Sequence, residues 1–144
     1  MGRRTLLVTP RGADRFDCRY AHWGAGTDPH AQSRRLGRGW SAADVLEEID
    51  AAYDRVLVRD GASRQYCVCW LDPTLSDRDD VALARTDDPA ALRARWTEAK
   101  SLAVEAVADG LAPRTARMGL LLGLAGRADA LYRGDDASFL RDGR

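Results

Sequence analysis

Strict alternation from Phe16 to Trp23 constrains this chain more than any other feature. Phe16, Cys18, Tyr20 and His22 fall on one face of an extended segment, with Asp17, Arg19, Ala21 and Trp23 on the other. A later run, Tyr66-Cys67-Val68-Cys69-Trp70-Leu71, has the same aromatic and thiol content. The two runs together hold five of the ten aromatic residues and all three cysteines. They predict the middle of a sheet, and any thiol chemistry must come from them.

The neighbouring segments fit around that sheet. Thr5-Leu6-Leu7-Val8-Thr9 is β-branched and apolar and is followed by Pro10 and a turn, so it predicts a strand in a hairpin with Phe16–Trp23. Gly24 to Gly39 is polar and rich in glycine and arginine, and predicts a long connection. It ends at Trp40-Ser41-Ala42-Ala43-Asp44-Val45, where Ser41 and Asp44 have the spacing of a capping box. Trp40 and Val45 have the spacing of a hydrophobic staple. The helix that follows is expected to reach about Tyr53. A second hairpin then turns at Asp60-Gly61.

Asp72 to Asp88 is acidic and bounded by proline, which predicts a loop. Asp88-Pro89 opens a helix to about Asp109. Pro113 opens another, to about Arg133, with leucines at 120, 121, 122 and 124. The fold class expected is therefore α+β: a four-stranded, mainly antiparallel sheet in the order β-β-α-β-β, one packed helix, and a C-terminal αα-hairpin. Residues 1–134 form a single domain in this scheme, with the sheet and first helix at 1–72 and the helical hairpin at 89–133. Residues 135–144 form a polar tail.

The residues that build the first half also resemble a known family. Arg4 to Val8, the run Arg19-Tyr20-Ala21-His22-Trp23-Gly24-Ala25, the capped helix, Val56-Leu57-Val58 and Tyr66 to Trp70 resemble a haloarchaeal family of uncharacterised small proteins. These share an N-terminal hairpin ending in a Tyr-x-His-Trp-Gly run. The resemblance implies a domain of unknown function and brings no catalytic residue with it.

At 144 residues the chain can bury roughly 70% of its unfolded surface without staples. An odd cysteine count with no leader-like start is the pattern of a reduced, cytoplasmic protein. The longest apolar stretch, Met118 to Ala125, falls well short of the ~20 residues of a membrane helix, so no membrane partner is expected. Net charge is zero but unevenly spread: residues 1–40 carry a net of +5 and residues 41–80 a net of −6. The basic residues are 21 arginines and one lysine, which favours bidentate contacts to phosphate or carboxylate.

Four kinds of chemistry follow. The arginine-glycine segment Arg34, Arg35 and Arg38, with the helix start at Ser41, combines guanidinium groups and free N–H groups suited to phosphate, and nucleic acid is the natural ligand. Cys18, His22, Cys67 and Cys69 would form a tetrahedral zinc set if their strands neighboured each other with those faces together. Cys69 with His22 would be the pair for a cysteine-dependent enzyme. Gly119 and Gly123 in the 117–132 helix would permit close helix packing and homo-oligomerisation. The leading expectation is a non-enzymatic binding protein for nucleic acid that needs no cofactor. A zinc-stabilised module is the alternative, and a cysteine enzyme the second alternative.

Overall fold

A computed structural model describes residues 3–12, 14–23, 33–49, 53–71, 81–133 and 136–141, with Arg3, Trp23 and Trp70 described in backbone only. The chain forms β1 (Arg3–Pro10), β2 (Phe16–Trp23), β3 (Arg34–Trp40), α1 (Ala42–Glu48), β4 (Arg55–Asp60), β5 (Ala62–Trp70), β6 (Val81–Arg85), α2 (Pro89–Ala108), α3 (Pro113–Ala125) and β7 (Ala130–Arg133). A 3₁₀ turn at Ala137–Leu140 completes it.

The strands make one sheet in the order β3-β2-β1-β4-β5-β6-β7. Every neighbouring pair is antiparallel except β1 and β4, which run parallel through Thr5↔Arg55 to Val8↔Val58. That parallel pair needs a crossover, and the segment through β2, β3 and α1 supplies it. β1 therefore lies in the middle of the sheet, and Thr5, Leu6, Leu7 and Val8 are buried.

Alternation along the strands builds a core on each face. Leu6, Val8, Phe16, Cys18, Val56, Val58, Tyr66, Val68 and Leu83 pack beneath Val45 and Ile49 of the α1 segment and beneath Phe139 and Leu140. On the other face, Cys67, Cys69, Ala82 and Ala84 pack against Leu92 and Trp96 of α2 and Leu120 and Leu124 of α3. Small residues at 82 and 84 let the helices approach the sheet closely. Phe139 and Leu140, the two large apolar residues of the otherwise polar tail at 135–144, are fully buried. Arg64 and Tyr66 hold that turn in place. The Arg64 guanidinium donates to the Leu140 carbonyl at 3.2 Å, and the Tyr66 hydroxyl donates to Phe139 O at 3.1 Å.

The expected four-stranded β-β-α-β-β sheet with a C-terminal αα-hairpin is overturned. Among the described residues the sheet is mixed and seven-stranded, there are three α-helices, and α3 leads into a further strand. Three segments account for the difference. Arg34–Trp40 has only Leu36 and Trp40 packed against the core, so its composition resembles a loop. An edge strand needs just one apolar face, however, and charge on it discourages unwanted pairing. Val81–Arg85 is a short apolar run at the end of an acidic stretch, paired on both edges by β5 and β7 and buried on both faces, Val81 and Leu83 in one core and Ala82 and Ala84 in the other. The helical periodicity expected to continue to Arg133 stops at Ala125. Gly126 caps α3, and Leu131 and Tyr132 pair with Ala84 and Leu83 of β6. Thus 117–132 is not one helix. α1 is also shorter than expected, with Ile49 as its C-cap. Among the described residues, no helix is long and apolar enough to cross a membrane.

Candidate functional site

The tight β1–β2 hairpin and the β2–β3 pairing bring distant arginines together. Arg19 lies opposite Arg35 and Tyr20 opposite Arg34, with register shifts around Cys18. Because side chains alternate, Arg19 and Arg35 project from one face of the sheet and Tyr20 and Arg34 from the other.

On the first face, Arg11, Arg19, Arg35 and Arg38 surround a concavity of about 340 Å³ that also includes Thr9 and Asp17. Asp17 is the single carboxylate among the described residues that line it. It accepts from the Gly39 N–H at 3.0 Å and from Arg11 Nε at 2.7 Å. The Gly39 N–H, then the Arg11 guanidinium, hold its carboxyl below the usual carboxylate range. Arg19 is fixed by Ser33, donating to its hydroxyl at 2.6 Å and to its carbonyl at 2.8 Å. Two guanidiniums facing each other across a strand pair repel, and Ser33 orients the Arg19 member of that pair. Arg35 and Arg38 are exposed, and their side chains make no hydrogen bond or ion pair among the described residues.

On the opposite face the Arg34 guanidinium sits 5.1 Å from the centre of the Tyr20 ring, a cation–π contact. Tyr20 in turn meets Tyr53 edge-on at 6.1 Å. Trp40 folds back over Gly37, whose missing Cβ would lie 1.9 Å from the indole nitrogen. Only glycine leaves that ring its place.

Of the residues expected to bind anions, Arg35 and Arg38 share the concavity and Arg34 lies on the other side of the same strand. Ser41 is already occupied. Its hydroxyl accepts from the Asp44 N–H at 3.2 Å, and its own N–H donates to the Asp44 carboxylate at 3.0 Å. Composition alone did not single out Arg11 and Arg19. The alternation that places Asp17 and Arg19 on one face was visible, but their joining Arg35 depends on β3 being a strand.

The four residues of the expected metal set are not brought together. Cys18 is buried in the core beneath α1, while Cys67 and Cys69 are buried in the core beneath α2 and α3, with the sheet between. His22 is exposed near the end of β2. Among the described residues, no group of three or more histidine, cysteine, aspartate or glutamate side chains is arranged to hold a metal ion. The same separation keeps Cys69 from His22. Burial, with the Glu48 carboxylate next, pushes the Cys18 thiol up to about 12. Cys69 is held well above its ordinary value by its hydrogen bond with Cys67 and by burial. Cys18 and Cys69 are thus held in the protonated form, whereas the hydrogen bond with Cys69, and Arg93 nearby, hold the Cys67 thiol below its ordinary value despite its burial.

No protein family matches this chain, and neither does any curated protein or solved structure.

Proposed function

We propose that this chain is a small non-enzymatic binding protein that holds nucleic acid by its backbone on the β1–β2–β3 end of the sheet. One observation carries the reading: four arginines from three strands and their flanks line a single concavity that contains one carboxylate among the described residues. Arg35 and Arg38 are the phosphate ligands, since neither is committed elsewhere among the described residues. Arg19, locked by Ser33, sets the geometry. Arg34 over Tyr20 offers a stacking surface on the far side of the same edge strand. The three cysteines are all free thiols, which supports a reducing, cytoplasmic setting.

Such a site recognises phosphate spacing rather than base identity. Labelled single- and double-stranded oligonucleotides, titrated at two salt concentrations, test it. Replacing Arg34, Arg35 and Arg38 with glutamine lowers the slope of log affinity against log salt by roughly 0.7–0.9 for each phosphate no longer neutralised. Thermal stability scarcely changes, because exposed charges contribute little to the fold. R35Q/R38Q carries the larger share, and R34Q mainly weakens the single-stranded ligand. A wild-type protein that binds no oligonucleotide at low salt refutes the proposal. Unchanged binding by the triple variant moves the site off β3.

A further inference from the structure

A second concavity lies at the other end of the sheet from the arginine concavity, between α2 and α3. Trp96, Leu120 and Leu124 give it apolar walls, and its volume is about 120 Å³. Arg95 and Arg127 stand at its rim and also border an adjoining hollow of about 260 Å³. Both are exposed, and neither side chain makes a hydrogen bond or ion pair among the described residues. Asp88, the one carboxylate among the described residues of the adjoining hollow, is engaged with the Ala91 N–H at the start of α2. Two arginines with uncommitted side chains thus line both the apolar cleft and the hollow beside it.

Gly119 and Gly123 form the α3 side of the same cleft. Both sit inside a helix, where glycine is markedly less favourable than alanine. Neither is there for internal packing or for an unusual backbone angle, because a Cβ at either position would meet nothing within 4 Å. The fold would be more stable with alanine at both positions. What glycine preserves there is open space in the cleft.

We infer that the α2–α3 cleft binds a small hydrophobic monocarboxylate, with its apolar body against Trp96, Leu120 and Leu124 and its carboxylate between Arg95 and Arg127. The volume is close to that of engineered cavities that accept a single benzene ring. Paired guanidiniums are the natural partners of a carboxylate. The site is separate from the arginine face of β1–β3, and neither depends on the other.

Phenylacetate is a suitable probe, with uncharged phenylacetamide as its control, followed by amide chemical shifts of the isotope-labelled protein. The expected result is saturable shifts confined to α2, α3 and their connecting turns, with a Kd on the order of 1 mM or tighter. Binding of phenylacetamide, and binding of phenylacetate to R95Q/R127Q, should each be weaker by roughly tenfold or more. The double variant G119A/G123A provides the decisive arm. It should melt at the same or a higher temperature than wild type, yet lose most of its phenylacetate affinity as two methyl groups enter the cleft. Absence of saturable shifts overturns the inference, as does equal binding of phenylacetamide or undiminished binding by G119A/G123A. It is also overturned if the α3 shifts follow protein concentration rather than ligand, because a second copy of the chain would then cover the cleft.

Discussion

Replacing Arg64 with methionine should be among the most damaging single substitutions in this protein. Arg64 is 5% exposed, on β5 beneath the C-terminal turn. Its guanidinium donates to Asp60 Oδ1 at 3.0 Å, the Tyr66 hydroxyl at 3.2 Å and Leu140 O at 3.2 Å, and reaches Phe139 O at 3.5 Å. Methionine fills much of the same volume but donates nothing. Removing one partner of a buried ion pair costs about 3–5 kcal/mol. The Asp60 side chain keeps 17% exposure, so water recovers part of that and the lower end applies. Phe139 O retains the Tyr66 donor, whereas Leu140 O loses the donor Arg64 supplied, adding about 1 kcal/mol.

The expected loss is therefore about 3–4 kcal/mol, a large fraction of the 5–15 kcal/mol typical of a whole domain. Urea unfolding at neutral pH measures it. Near-ultraviolet circular dichroism should also lose the signal of the Tyr66, Tyr132 and Phe139 rings, which pack edge-on or tilted at 5.4–6.1 Å. Y66F removes a single hydroxyl and should cost only about 1 kcal/mol, so it calibrates the comparison. If R64M unfolds within about 1 kcal/mol of wild type, or costs no more than Y66F, the claim that Arg64 fastens the last turn to the sheet is wrong.

Two further outcomes follow from the same reasoning. G37A places a methyl group 1.9 Å from the Trp40 indole nitrogen, so the ring must move. Overpacking of this kind costs about 1–3 kcal/mol, visible in thermal melts, and an unchanged melting temperature would show that the indole does not rest on Gly37. The carboxyls of Asp17, Asp44 and Asp136 are held down chiefly by the N–H of Gly39, the N–H of Ser41 and the hydroxyl of Ser138 respectively. Groups whose folded value is depressed contribute stability that is present above about pH 4 and is lost as the pH falls through the folded value. Unfolding midpoints measured from about pH 6 down to about pH 2 should drop below about pH 4, and less steeply in D17N/D44N/D136N. Parallel curves for the two proteins would remove these three groups from the acid transition.

Local chemistry was legible in the sequence wherever a few adjacent residues decide the outcome. The alternation of Phe16–Trp23 set out a strand and its two faces. Ser41 and Asp44 specified a helix start, and both hydrogen bonds of the capping box form. Asp60-Gly61 marked a reversal, with Gly61 at φ +86° between paired residues Asp60 and Ala62. Asp88-Pro89 marked the start of α2. In each case the deciding residues are near neighbours in the chain, so their energy is written in the local order of side chains.

The extent of the sheet and the membership of the sites are of another kind. Arg34–Trp40 becomes a strand because β2 offers it an unpaired edge, and Val81–Arg85 because it is paired between β5 and β7. Leu131 and Tyr132 leave the helical pattern because β6 supplies partners beyond Gly126. Backbone pairing between distant segments overrode the weak preferences of these short stretches. The parallel pairing of β1 with β4 then decided that the cysteines fall into two cores on opposite faces, and the β2–β3 register decided which arginines share a concavity. The sequence by itself determined where the chain turns, where its helices start and which strand residues share a face. Tertiary structure alone decided which faces meet, because that choice rests on hydrogen bonds and burial between residues far apart in the chain.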